Sequence, residues 1–247
     1  MSTFAAQLQA PDKNQRVAAA LTLGKSGDLA ALPLLLAALS AELDDNVRET
    51  LTWAIVRFGD DAIQPLAQML TDCDAVIRHQ ATHVLGKIGS QNTVPHLIMA
   101  LGDVDSTVQM KAAFSLGQIG DRRAILALVQ MLGHRNNTLQ SMINTALEQF
   151  GRAAIDLLAE ALQHPHWQAR KQAAEVLDLI GDPKAITALA NALNDENNEV
   201  RFAAISALYN IGDARAFGIM RSALNDNDER VKMIARRATP QVPQNVR

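Results

Sequence analysis

His79 and His83 stand four residues apart in the stretch RHQATHVLGKIG, Arg78 to Gly89, a spacing that puts two imidazoles on one face of a helix. Two such rings can begin a zinc shell, and Glu49, which holds the place of His79 one copy earlier in the chain, is conceivable as a third ligand. The rest of that chemistry is missing from the sequence. No HExxH motif accompanies the pair, and Cys73, the only cysteine, has no second thiol. His96, His134, His164 and His166 fall in second helices or linking loops, where surface or partly packed imidazoles are ordinary. Nucleophilic catalysis would call for a G-x-S-x-G turn or a base beside a serine or cysteine, and neither is evident. Phosphate-cradling glycine loops are absent too, since each regularly placed glycine has a helix-stop explanation. The expectation is no metal, no cofactor and no catalytic residue, in a chain that reads more readily as a non-enzyme.

The elements that would carry these side chains follow from composition and period. Of 247 residues 48% are apolar and only 4% aromatic, with alanine and leucine abundant, which favours a folded chain of helices over sheets. The net charge of −3 gives no global attraction to nucleic acid or to an anionic membrane. A lone cysteine fits a reducing compartment. The N-terminus lacks the basic and apolar regions of a secretory signal, and the longest apolar run, Leu29 to Leu39, is too short to span a bilayer. A cytoplasmic protein is expected, with residues 239–247, TPQVPQNVR, as a flexible tail.

Glycines recur at 27, 59, 89, 120, 151, 181 and 212, a period of 30 to 32 residues. Twelve residues before most of them stands an apolar residue (Val47, Ile77, Val108, Leu139, Ala169, Val200), followed by Arg48, Arg78, Gln109, Gln140, Arg170 and Arg201. Arg16 occupies the same place in the first copy and Lys232 in an incomplete eighth. Between these marks apolar residues fall at offsets 0, 4, 7, 8 and 11, one face of an amphipathic helix. The glycine ends that helix, the aspartate that often follows can cap the next, and Pro33, Pro65 and Pro95 suit the first turn of a second apolar helix. Copies two and five each lack one residue, assigned to the second helix. An offset of 92 residues aligns copies two to four with five to seven, as after duplication of a three-copy block. A pair of such helices cannot bury its apolar face alone, so pairs stack on a shared core.

The phrase D-x-x-V-R-x-x-A-x-x-A-L-G-x-I-G-D, nearly whole in EVRFAAISALYNIGD and STVQMKAAFSLGQIGD, resembles HEAT repeats of the phycobilisome-lyase type from about Asp12 to Ala238. The resemblance implies an all-α fold, a right-handed α-α superhelix of about seven helix pairs plus a terminal helix, forming one solenoid over residues 1–238. It also implies that the arginines tie adjacent repeats through loop aspartates. A looser joint is then expected between copies four and five, where Gln109 and Gln140 interrupt the series. The same repeat occurs in bilin lyases, a di-iron hydroxylase, DNA-repair proteins and many scaffolds. The hydroxylase draws iron ligands from His-Glu dipeptides, and this chain has none.

In such solenoids the helix bearing the phrase lines the concave side, so offsets 2, 3, 6 and 10 should meet solvent. Offset 6 reads Leu21, Trp53, His83, Phe114, Thr145, placing rings on three successive copies. Nearby offsets add Glu49, Arg57, His79, Lys87, Met110, Lys111 and Met142. Aromatic anchors flanked by cations suit a docking surface. Lys25, Arg57, Lys87, Lys111, Lys171 and Arg237 set against Glu49 and Glu175 make the face positive and point to an acidic protein partner. The reading is a non-catalytic protein-binding scaffold or assembly factor, with no membrane and no nucleic-acid role. The alternative is a bilin lyase-like enzyme or chaperone handling a tetrapyrrole and its apoprotein, since rings and cations also suit propionates.

Overall fold

The computed structural model describes residues 2–239, with the backbone alone of Ser2, and the expected tail lies outside them from residue 240 onward. The chain divides into two compact units, Met1–Asp121 and Arg122–Arg247. In the first unit the helices are α1 (Ser2–Leu8), α2 (Lys13–Ser26), α3 (Leu32–Ala41), α4 (Asp45–Val56), α5 (Ile63–Met69), α6 (Ala75–Ile88), α7 (Val94–Ala100) and α8 (Ser106–Ile119). In the second they are α9 (Ala124–Gln130), α10 (Asn137–Phe150), α11 (Ile155–Ala161), α12 (Trp167–Ile180), α13 (Ile186–Ala192), α14 (Asn198–Ile211), α15 (Ala214–Met220) and α16 (Glu229–Ala238). The described residues contain no strand. The fold is all-α, and the alternation of long and short helices follows the sequence period, with α1 added before it.

Long helices pack on long helices: α2 on α4, α4 on α6 and α6 on α8 in the first unit, α10 on α12, α12 on α14 and α14 on α16 in the second. The short helices cover one flank, α3 on α4, α5 on α6 and α7 on α8, and likewise α11 on α12 and α13 on α14. Their shared interior is aliphatic, with Leu35, Leu51, Ile55, Leu85, Leu97 and Leu116 fully buried in the first unit and Leu139, Ile143 and Leu147 in the second. Each such side chain contributes roughly 1.5–3 kcal/mol by leaving water. Close approach is built in at Gly86, where a Cβ would stand 2.1 Å from Oγ of Ser115, so glycine is what lets α6 lie against α8.

The helix ends follow the residue signals. Asp12, Asp44, Asp74 and Asp105 cap the long helices of the first unit by accepting backbone N–H groups, as the oxygen of an N-cap side chain does. Gly27, Gly89 and Gly120 close three of those helices in the left-handed conformation. Copies two and five differ. There Gly59 and Gly151 open a short 3-10 turn, and α5 and α11 are as long as α7 and α13. The missing residue expected in the second helix therefore comes out of the turn: a buried alanine follows Gly59 and Gly151 by three positions instead of four.

The arginine series makes a repeated staple. Arg78 holds Asp103 with Nε and Nη2 at 2.7 and 2.8 Å and donates Nη1 to the carbonyls of Asp72 and Cys73. Arg170 with Asp195 and Arg201 with Asp226 repeat the geometry, and Arg16 does so with Glu42. The carboxylate stands 25 residues after the arginine in three of these pairs. Counting the same distance from Arg48 reaches Cys73. Arg48 turns instead to Asp45 in its own helix, so the α4–α6 joint has no staple, and it packs more sparsely than α2 on α4 or α6 on α8.

Candidate functional site

Ten residues singled out by sequence are distributed over four long helices. Glu49, Trp53 and Arg57 belong to α4 and its C-terminal cap, His79, His83 and Lys87 to α6, and Met110, Lys111 and Phe114 to α8. Met142 is carried by α10 of the second unit, where it is half-buried. Within the first unit α6 packs against both α4 and α8, so three helices carry nine of these residues.

Offset 6 is open as expected for its two large rings: Trp53 is 40% and Phe114 45% exposed, while His83 between them in sequence is half-buried. Each exposed ring carries a cation. The Arg57 guanidinium lies 5.1 Å from the Trp53 centroid and also donates from Nε to the Gly24 carbonyl at 3.0 Å. Lys111 Nζ lies 5.8 Å from the Phe114 centroid. Both distances fall within the range of a cation–π attraction. Lys87 is exposed, and Met110 half-buried.

Offset 3 departs from the expectation of solvent. Gln80 is 8% and Gln172 2% exposed, and Lys111 and Met142 are half-buried. The long helices are flanked on both sides, so the face between the core stripe and the open stripe meets a neighbouring long helix.

At the unstapled α4–α6 joint this face leaves a cleft of about 320 Å³. Asp45, Arg48, Glu49 and Thr52 line it from α4, Val76, His79, Gln80 and His83 from α6, and Lys111 from α8. Glu49 Oε2 is 3.6 Å from His83 Nε2. Burial, and then the charge of Lys111, hold both imidazoles below the ordinary histidine range, with Glu49 opposing at His83. Burial and the charge of Lys87 likewise lower Lys111, against the attraction of Glu49. Gln80 Oε1 is buried with no hydrogen-bond partner. Among the described residues no three His, Cys, Asp or Glu side chains are grouped to hold a metal ion.

The sequence reading missed Arg48, Thr52 and Gln80 as cleft residues. A signal for Gln80 was present: a glutamine recurs 92 residues on, at Gln172, in the otherwise alanine-rich helix segment. A signal for Arg48 was the cysteine standing where the staple's carboxylate belongs.

Stacked helix pairs with capped ends and arginine staples define an all-α repeat protein. The family profile described as HEAT repeats matches residues 1–86, 32–116, 63–148, 94–166 and 155–239, and the chain belongs to the HEAT-repeat family. Among curated proteins none matches the sequence. Among solved structures, one of microtubule plus end tracking by XMAP215, CLIP-170 and EB1 is 13% identical, with 74% of this chain and 92% of that one covered at a TM-score of 0.57. Human deoxyhypusine hydroxylase in complex with glycerol is 18% identical over 90% of this chain and 99% of that one, TM-score 0.39. The complex of CpcE and CpcF of phycocyanin lyase from a Nostoc species is 25% identical over 99% and 88%, TM-score 0.36. The first of these likenesses is one of fold. No helix of the described residues is long and apolar enough to cross a membrane.

Proposed function

We propose that this HEAT-repeat protein is a non-catalytic scaffold or assembly factor of the cytoplasm that docks a protein partner on the α4, α6 and α8 face of its first unit. The observation that carries the reading is the pair of exposed rings, Trp53 and Phe114, each with a cation above it. An exposed indole is a large rigid surface that loses little entropy on docking, and such residues dominate binding energy where they occur. Among the residues singled out on these helices Arg57, Lys87 and Lys111 outnumber Glu49, which acts on Lys111, and this excess favours an acidic partner. The lone Cys73, exposed and free, supports a reducing compartment.

The test is affinity capture with quantitative mass spectrometry, comparing wild type with Trp53→Ala combined with Phe114→Ala. Trp167→Ala, an exposed ring of the second unit, serves as control. A specific partner should be retained by the control and lost from the double variant, and equal recovery from all three proteins would refute the surface. Absorption titration with a linear tetrapyrrole should give no saturable spectral shift, and a saturable shift would replace the scaffold reading by the lyase-like alternative.

A further inference from the structure

The duplicated block supplies an internal comparison for the cleft. Gln172 lies 92 residues after Gln80 and occupies the matching α10–α12 joint, which also lacks an arginine staple because Gln140 and Pro165 stand in the arginine and carboxylate places. That joint is closed by the Gln172 amide. Its Oε1 accepts the backbone N–H of Gly133 at 2.7 Å, and its Nε2 donates to Asn144 Oδ1 at 2.7 Å and to the Gln140 carbonyl at 3.3 Å. Gly133 can offer that N–H because its φ of +79° turns the chain out of α9, and it approaches so closely that a Cβ would meet the Ala169 nitrogen at 2.8 Å.

At the first joint neither the turned-out Gly133 N–H nor the Asn144 side chain has a counterpart, and only the main-chain carbonyl, there of Arg48, recurs. Helix α3 runs on to Ala41, and the following Glu42, Leu43 and Asp44 include no glycine. Thr52 replaces Asn144, and its register neighbour is Arg48 in place of Gln140. Gln80 Oε1 is left buried without a donor. An orphaned buried acceptor is costly and rare in folded proteins. The cleft beside it is polar, with the cations Arg48 and Lys111 matched in number by Asp45 and Glu49, but Lys111 makes no ion pair among the described residues, whereas Arg48 is engaged by Asp45 and Glu49 is turned to His83.

We propose that the α4–α6 cleft takes a main-chain amide of an acidic peptide segment, whose N–H fills the place at Gln80 that Gly133 fills at Gln172 and whose neighbouring carboxylate pairs with Lys111. An extended peptide segment suits either orientation of the glutamine amide, since the N–H and C=O of one extended residue point to the same side. The volume, about 320 Å³, is at the small end of ligand pockets, roughly 300–1,000 Å³, and admits a short stretch of chain instead of a folded surface. The proposal rests on the reading of this face as a protein-docking surface and names what that surface recognises.

Amide NMR spectra of the full chain, titrated with acetyl-Asp-Gly-Asp-amide, test it. Control titrations use the same probe with an ester in place of its central amide, and acetyl-Lys-Gly-Lys-amide. The acidic amide should move the Gln80 side-chain signals and those of His79 and His83 saturably. The ester, the basic probe, and the Gln80→Met and Lys111→Met variants should each weaken binding about tenfold, the ratio that corresponds to 1.4 kcal/mol, while Gln172→Met should not. Absence of saturable shifts at these residues, or equal shifts with the ester or the basic probe, overturns the proposal. Gln80→Met should unfold at the same or a higher urea concentration than wild type, so its loss of binding is not loss of fold. Destabilisation of Gln80→Met to the level of Gln172→Met would show the amide already satisfied and also overturn it. Partner capture that depends on Trp53 and Phe114 but not on Gln80 removes the cleft and leaves the docking surface. Peptide binding at Gln80 with capture indifferent to both rings does the reverse.

Discussion

Gln80 and Gln172 have one chemistry and two fates, and the contrast measures what a buried amide contributes. Gln172 is bonded through both atoms within its unit, so Gln172→Met leaves the Gly133 N–H and Asn144 unpaired and should cost about 1–3 kcal/mol in urea unfolding. Gln80→Met removes an acceptor that has nothing to accept and should be neutral or stabilising. A second contrast concerns arginine. Arg170 and Asp195 are both largely buried and doubly hydrogen-bonded, so Arg170→Leu should lose about 1.5–3 kcal/mol, the range for a charge-assisted bond. Arg152, mostly exposed beside Asp182, should tolerate alanine with a small change in the same experiment, because solvent screens the pair. At this scale the exposure of the rings at Trp53 and Phe114 was legible, because offset 6 falls outside the apolar stripe. The inward turn of Gln80 was not, because periodicity locates a face without saying what packs against it.

Helices and their joints were the most legible level. Caps, glycine stops and first-turn prolines are short-range signals, and Asp44, Asp74, Gly89 and Pro95 act where their types dictate. The staple partners depend on a distance of 25 residues, and reading only the arginine half places the weak joint at Gln109 and Gln140. Within the first unit the unstapled joint is α4–α6, where the arginine is present and its carboxylate is absent. Cys73→Asp should supply that carboxylate and draw Arg48 from Asp45. The expected gain is about 1 kcal/mol in unfolding free energy, a charge-assisted bond discounted for the partial exposure of Arg48. Unchanged stability with Arg48 still on Asp45 would show that spacing alone does not make the staple. The shortened turns after Phe58 and Phe150 were visible as a deletion, but not its place, since a turn and a helix end cost a sequence the same single residue.

Across the whole chain the staples link stability to acidity. The hydrogen bonds of Arg78 and Arg201 hold Asp103 and Asp226 below the usual carboxylate range, and at Asp195 burial raises the value but the bonds from Arg170 and the Asn197 N–H outweigh it. A carboxyl whose folded value is depressed binds protons first in the unfolded chain. Its stabilisation is therefore complete above the unfolded value of about 3.9 and is lost as pH falls through the folded one. Urea midpoints should fall gently from pH 7 to 5, where the unfolded chain protonates His79 and His83 first, and steeply below pH about 4, and the Arg170→Leu variant should show a shallower fall in the acidic range. The HEAT-repeat class was readable from the period, because every copy repeats the same burial problem. The partner was not, because recognition resides in positions that the repeat leaves free.

The missing α4–α6 staple also has a mechanical meaning. Where Arg78 ties α6 toward α8 through Asp103, a pulling force must break charge-assisted bonds together with packing. Between α4 and α6 it meets sparse packing and the single Glu49–His83 contact. Stretched, the first unit should yield at this joint before the α6–α8 joint gives way, and a segment lodged beside Gln80 would stiffen the unit at its most compliant point.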